Sequence, residues 1–149
     1  MEEFNTLEKV RQLFRSVGCE GNENCYFVAM KDAARAKSGL VGGMEYPYDG
    51  LLLNRTENGL GIFYLRYIKV LTLKADFSNM QIAPKDAYHF IPNGAIGKID
   101  VKKGMLNSKV KRITIKTTDR KHCLMTRIDE PSIPYHRDNL AKFESLYAK

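Results

Sequence analysis

The sequence predicts a mainly β domain: a curled antiparallel sheet or barrel of about seven strands, capped by a C-terminal helix and preceded by an N-terminal helix. Short runs in which apolar and polar residues alternate, the period of half-buried strands, recur between residues 25 and 128. After Pro134 the apolar residues change to a helical period. An alternating β-α-β pattern, the mark of a parallel sheet, is absent from the sequence.

The N-terminal helix is predicted over Asn5 to Val17. Asn5 and Glu8 have the spacing of a capping box, and Gly18 stands where helices commonly end. The apolar stripe consists of Leu7, Val10, Leu13, Phe14 and Val17. We expect this stripe to pack on the sheet of the same chain; a contact between two copies of the chain is the alternative.

The first half of the sheet is predicted from three strands. Cys25 to Met30 forms the first, and the small residues of Lys31 to Met44 indicate a short helix or a loop. Tyr48 to Asn54 and Gly61 to Tyr67 then form a hairpin, because Asn58-Gly59 supplies the backbone angles that a tight reversal requires.

The remaining strands complete the predicted sheet. Ile68 to Lys74 and Tyr88 to Ile91 are two of them, and Ile96 to Lys103 is a third, in which a bulge at Gly97 lets Ile96 and Ile99 share a side. Ile113 and Ile115 alternate with polar residues, which predicts a strand over Val110 to Thr117. A turn at Asp119-Arg120-Lys121 connects it to the last predicted strand, Cys123 to Ile128.

The C-terminal helix carries Leu140, Phe143 and Tyr147 at i, i+3 and i+7, with Leu146 beside them. We expect it to close one open end of the sheet. Burial of Leu140, Phe143 and Leu146 then stabilises the fold by roughly 5 to 9 kcal/mol before any costs.

Three segments together resemble a known family. Residues 91–104 (IPNGAIGKIDVKKG), 112–117 (RITIKT) and 139–143 (NLAKF) are similar to the second half of bacterial pleckstrin-homology-like domains, relatives of the GRAM domains. The resemblance spans Tyr46 to Tyr147 and implies a bent seven-stranded sheet with its open corner capped by the C-terminal helix. Residues 1–149 are then one domain, in which residues 46–149 form the core and residues 1–45 an extension of helix, strand and loop.

The family's lipid-binding motif is missing from the chain. Phosphoinositide-binding members carry a Lys-x-Arg-type motif across their first hairpin, whereas this hairpin offers Leu51 to Arg55 and Tyr64 to Arg66. Phosphoinositide recognition of that kind is therefore not expected.

Positive charge is concentrated in one part of the chain. Residues 98–127 hold ten Lys and Arg against two Asp, a balance of +8, while the other residues hold 14 basic and 15 acidic groups. Four of the cations alternate with inward-facing residues on two strands that are predicted to pair, so their side chains point away from the core. They are Lys98, Lys102, Arg112 and Lys116. They are the predicted anion-binding residues. The alternative is that the lysines only keep an exposed face of the sheet soluble and its edges unpaired.

Catalytic and cofactor chemistry is not indicated. His89, His122 and His136 are scattered, and no nucleophile, metal-ligand or cofactor motif is found, so we expect no enzyme activity, metal or cofactor. Nucleic acid is disfavoured because Lys98 to Arg127 contains no Phe, Tyr or Trp on which a base would stack.

The cysteines and the N-terminus predict a cytoplasmic location. Cys19, Cys25 and Cys123 form no disulfide or zinc framework, and the acidic N-terminus does not resemble a signal peptide. We expect a binding module whose partner is a protein or peptide, held at a sheet edge or in the groove beside the C-terminal helix. The alternative partner is anionic lipid at the inner face of the membrane, bound through the four outward cations.

Overall fold

The computed structural model describes residues 3–32, 48–68, 77–84, 87–104 and 109–147. Nearly all of the loop or short helix expected over Lys31 to Met44, and of the strand expected over Ile68 to Lys74, lies outside these ranges. The described residues form a mainly β fold with one helix near each end of the chain, as predicted.

The described part of the chain contains two α-helices and eight strands. The helices are α1 (Leu7–Ser16) and α2 (His136–Tyr147). The strands are β1 (Asn24–Lys31), β2 (Gly50–Thr56), β3 (Gly59–Tyr67), β4 (Met80–Ile82), β5 (Tyr88–Pro92), β6 (Ile96–Lys103), β7 (Val110–Thr117) and β8 (Lys121–Arg127). Single 3₁₀ turns at Phe77–Asn79 and Asn93–Ala95 precede β4 and β6.

All strand pairs are antiparallel, and the strand order is β4-β3-β2-β1-β8-β7-β6, with β5 also paired to β3. Both β4 and β5 lie along the same edge of β3: Leu65 pairs with Ile82, and Phe63 pairs with Tyr88. They therefore act as one interrupted strand, and the sheet has seven positions. The predicted β2–β3 hairpin and the bulge at Gly97 are both present.

The first strand has a more central place than the sequence suggested. Residues 1–45 were interpreted as an extension of the core, but β1 lies in the middle of the sheet, between β2 and β8. Its buried run from Cys25 to Ala29 contributes side chains to the hydrophobic clusters on both faces of the sheet. Cys25 to Met30 is a continuous apolar run, which is consistent with a strand buried on both faces, but such a run does not say which strands lie on either side of it.

The sheet is strongly curled, although its hydrogen-bonded path does not close. Leu60 of β3 and Ile99 of β6 come from distant positions in the strand order yet belong to one buried cluster on the inner face. Arg120, in the β7–β8 turn, donates to the Tyr64 hydroxyl of β3 at 3.1 Å. Leu140 and Phe143 of α2 join the inner cluster, so the terminal helix packs into the opening of the sheet.

Helix α1 covers part of the outer face, where Val10 and Phe14 pack against β1, β2 and β3. The N-cap lies one residue later than predicted, because Thr6 rather than Asn5 accepts from the Lys9 amide at 3.2 Å, and the helix covers Leu7–Ser16. Leu7 and Val17, which the stripe included, remain 42% and 37% exposed. The buried face of α1 therefore includes fewer residues than the apolar stripe in its sequence.

Helix α2 also buries fewer apolar side chains than predicted. The Phe143 ring lies 4.4 Å from the Phe27 ring, centroid to centroid, and both side chains are fully buried. Leu146, which was expected to be buried, is 58% exposed. The stabilisation attributed to this helix therefore rests on Leu140 and Phe143, with Tyr147 packed at the margin of the inner cluster.

Replacement of Phe143 by Ala should lower the free energy of unfolding by about 3 to 5 kcal/mol, because it removes a fully buried ring and leaves a cavity. Leu146→Ala, on the same helix, is the control and should change stability by less than about 0.5 kcal/mol. Urea unfolding followed by circular dichroism measures both. Equal losses for the two variants would contradict the assigned burial.

Candidate functional site

The four cations predicted from the sequence lie together on the outer face of β6 and β7. Lys98 is directly opposite Lys116, and Lys102 is directly opposite Arg112. The three lysines are exposed and Arg112 is half-buried. We call these four residues the basic strip.

A fifth cation extends the basic strip onto β8. Lys121 pairs with Lys116, so Lys98, Lys116 and Lys121 form a row across three strands. The sequence interpretation placed Lys121 in the turn, whereas β8 begins at this residue. The hairpin register of β7 and β8 was the signal that would have revealed it, because residues on paired strands share a face when they lie opposite each other.

The arrangement has an electrostatic cost. Like charges directly opposite each other on a sheet destabilise it, by amounts on the order of a few tenths of a kcal/mol per pair. Two carboxylates reduce this cost: Asp100 Oδ2 lies 3.4 Å from Lys98 Nζ, and Asp32 Oδ2 lies 3.7 Å from Arg112 Nε. Asp32 belongs to the chain just after β1, so the fold brings it to the basic strip from a distant part of the sequence.

Other cations of the same segment have different roles. Lys111 faces inward and its ammonium group lies 2.9 Å from the Glu144 carboxylate on α2. Arg127 holds the buried Glu130 carboxylate with two hydrogen bonds, of 2.9 and 3.0 Å. The local excess counted along the sequence is therefore partly neutralised in space, while Lys98, Lys102 and Lys116 of the basic strip are exposed.

The groove beside the C-terminal helix is filled by the helix itself. The Val28 amide of β1 donates to His136 Nδ1 at 3.2 Å, and the Tyr26 amide donates to Asn139 Oδ1 at 3.1 Å. Lys142 Nζ donates to the Asn24 carbonyl at 3.1 Å. These side chains of α2 therefore occupy three of the backbone groups that an added peptide strand would need at this edge of β1.

Two histidines are buried in polar networks that serve the fold. His136 accepts from Val28 at Nδ1, so its proton is on Nε2, which donates to the Arg127 carbonyl at 2.8 Å; burial lowers its pKa. His122 Nδ1 is hydrogen-bonded to the Tyr48 hydroxyl at 2.7 Å. Burial, reinforced by Arg120 and His89, lowers the pKa of His122 to about 4.

The cysteines have the properties of packing groups. Cys19, Cys25 and Cys123 are free thiols and all are buried. The Cys25 thiol donates to the Asn139 carbonyl at 2.8 Å, and burial raises its pKa to about 12. The neighbouring Cys123 and His122 face opposite sides of the sheet, since the register places Cys123 beside Thr114 and His122 beside Ile115.

Within the described ranges, no group of three or more His, Cys, Asp or Glu side chains is arranged to hold a metal ion. No helix in those same ranges is long and apolar enough to cross a membrane. Comparison of the chain with family models, with curated proteins and with solved structures gives no match.

Acidification should destabilise the protein through His122. Its folded-state pKa, about 4, is below the unfolded value of 6.5, so the unfolded chain binds the extra proton and stability falls as the pH drops through this interval. Between about pH 7 and pH 4.5 the wild-type protein should lose about 2 kcal/mol more than His122→Gln. Urea unfolding at the two pH values measures the difference, and parallel losses in both proteins would refute the buried neutral imidazole.

Proposed function

We propose that the chain is a non-enzymatic binding module of the pleckstrin-homology-like type, and that it binds an anionic partner through the basic strip. The fold supports the first part of this proposal, because it has seven strand positions, a curled antiparallel sheet and a terminal helix packed into the opening. The engagement of His122 and His136 in structural hydrogen bonds supports a role without catalysis.

The row of Lys98, Lys116 and Lys121 is the observation that carries the proposal. Two carboxylates, Asp100 and Asp32, accompany five cations on this face, so positive charge predominates although like charges opposite one another destabilise a sheet. Here three lysines stand in register on three strands, and a third cross-strand pair adds Lys102 and Arg112 beside them. The summed field of such a group attracts polyanions.

A protein or peptide partner with acidic side chains is our first candidate. Anionic lipid is the second: the exposed Lys98, Lys102 and Lys116 lie on one face, and each cation near an anionic membrane contributes about 1 kcal/mol, enough for weak and reversible attachment. Three free, buried thiols support the proposal of a cytoplasmic location, at the inner face of the membrane in the lipid case.

A charge-reversal experiment tests the proposal. The double variant Lys98→Glu, Lys116→Glu should lose at least about tenfold in affinity for a fluorescent poly-glutamate peptide, since two attractive contacts become repulsive. Fluorescence anisotropy at low and high salt gives the affinities. Sedimentation with neutral and anionic lipid vesicles distinguishes the lipid candidate.

The matched control is Lys9→Glu, Arg137→Glu, which changes the net charge equally but on the two helices. Both residues are exposed, so the control should retain most of the binding. Equal loss in the two double variants would mean that only the net charge matters, and the proposed role of the basic strip would be wrong.

A further inference from the structure

A small cavity opens directly beside the basic strip. It has a volume of about 210 Å³ and lies between β1, β7, β8 and the 3₁₀ turn that precedes β4. Its apolar lining comes from Met30, Phe77, Val110 and Met125. The ion pair of Arg127 and Glu130 also borders it.

The sheet register connects this cavity to the cations. Lys102 is opposite Arg112, Arg112 is opposite Met125, and Met125 is opposite Met30. Directly opposed residues have their Cβ atoms about 5 Å apart. One line across four strands therefore leads from two cations to two methionines that line the cavity.

The chemistry of the cavity suits one apolar side chain. Its volume of about 210 Å³ is below the roughly 300 to 1,000 Å³ typical of small-molecule sites. Methionine side chains adapt to the shape of an occupant, and Phe77 supplies a fully buried floor. Arg127 and Glu130 neutralise each other, so the polar side of the cavity carries no net charge.

A membrane fits this surface less well than a peptide. Proteins that insert into the membrane interface project apolar side chains toward the lipid beside their cations. Among the described residues, the exposed large apolar side chains are Leu7, Val17, Ile68, Phe90, Met125 and Leu146. Only Met125 belongs to β6, β7 or β8, and it borders a recess rather than forming a protruding patch.

We infer that the anionic partner is an acidic peptide segment that places one large apolar side chain, such as leucine, in this cavity while its carboxylates contact Lys102, Arg112 and the rest of the basic strip. This inference rests on the proposed function and names its partner class. The cations supply charge complementarity, and the cavity selects an apolar residue next to the acidic ones.

Three fluorescent peptides test the inference on the full chain by anisotropy. The leucine peptide is a run of glutamates interrupted by one leucine. The alanine peptide has alanine in place of that leucine, and the glutamine peptide keeps the leucine but has glutamines in place of the glutamates. We expect the leucine peptide to bind about tenfold more tightly than the alanine peptide, because one more large side chain is buried. The glutamine peptide should bind more weakly than the leucine peptide and without dependence on salt.

A variant that fills the cavity tests whether the leucine side chain of the peptide binds there. Val110→Phe should reduce binding of the leucine peptide to the level of the alanine peptide and leave the alanine peptide unchanged; Leu146→Phe, on exposed α2, should change neither. If Val110→Phe loses its thermal transition, Met125→Gln makes the same comparison, because Met125 is partly exposed.

The outcomes separate this inference from the proposed function. In one outcome the leucine and alanine peptides bind equally well, their binding depends on salt, and the double variant Lys98→Glu, Lys116→Glu abolishes it. This outcome would overturn the cavity assignment and leave the proposed function intact. Binding to anionic vesicles without binding to the acidic peptides would replace the peptide with a membrane. Failure of both peptides and vesicles to bind would overturn both proposals.

Discussion

The backbone of β1 imposes the constraint on which the rest of this structure depends. A central strand must have hydrogen-bond partners along both edges, since buried amides without partners are costly. β2 accompanies β1 from Asn24 to Met30, but β8 pairs with it only at Met30 and Lys31. Along the rest of that edge, side chains of α2 provide the missing partners: His136 for Val28, Asn139 for Tyr26 and Lys142 for Asn24.

This substitution of a helix for a strand allows the sheet to curl. Because β8 leaves β1 after two residue pairs, β8, β7 and β6 turn away and enclose the inner cluster, where Phe143 meets Phe27. Thr126 spans the point of separation, donating to the Val28 carbonyl at 2.7 Å. The helix is therefore both a hydrophobic plug and a source of hydrogen bonds, and its polar residues matter as much as its apolar ones.

The curl also divides the outer face into two unequal halves. α1 lies on the half formed by β1, β2 and β3, and the Tyr135 hydroxyl anchors the chain before α1 by donating to the Phe4 carbonyl. The half formed by β6, β7 and β8 carries the basic strip and the small cavity at its margin. Covered apolar surface stabilises the fold, while Lys98, Lys102 and Lys116 of the other half are exposed.

Much of this arrangement is local and was predictable. The period of two identified β6 and β7, the Asn58-Gly59 turn identified the β2–β3 hairpin, and the odd spacing of Ile96 and Ile99 identified the bulge at Gly97. The same parity placed Lys98, Lys102, Arg112 and Lys116 on one face, because side-chain direction in a strand alternates regardless of what the sheet packs against.

The sequence by itself therefore determined the helix near each end, most strands of the sheet, the mainly β class and the shared face of the four cations of the basic strip, whereas β4 was not predicted. Only the tertiary structure decided the central place of β1, the exposure of Leu146, the burial of Glu130 and the approach of Asp32 to Arg112. The physical reason is that periodicity reports which side of one element a residue faces. Which other element meets that side depends on contacts between residues far apart in the chain, such as His136 and Val28.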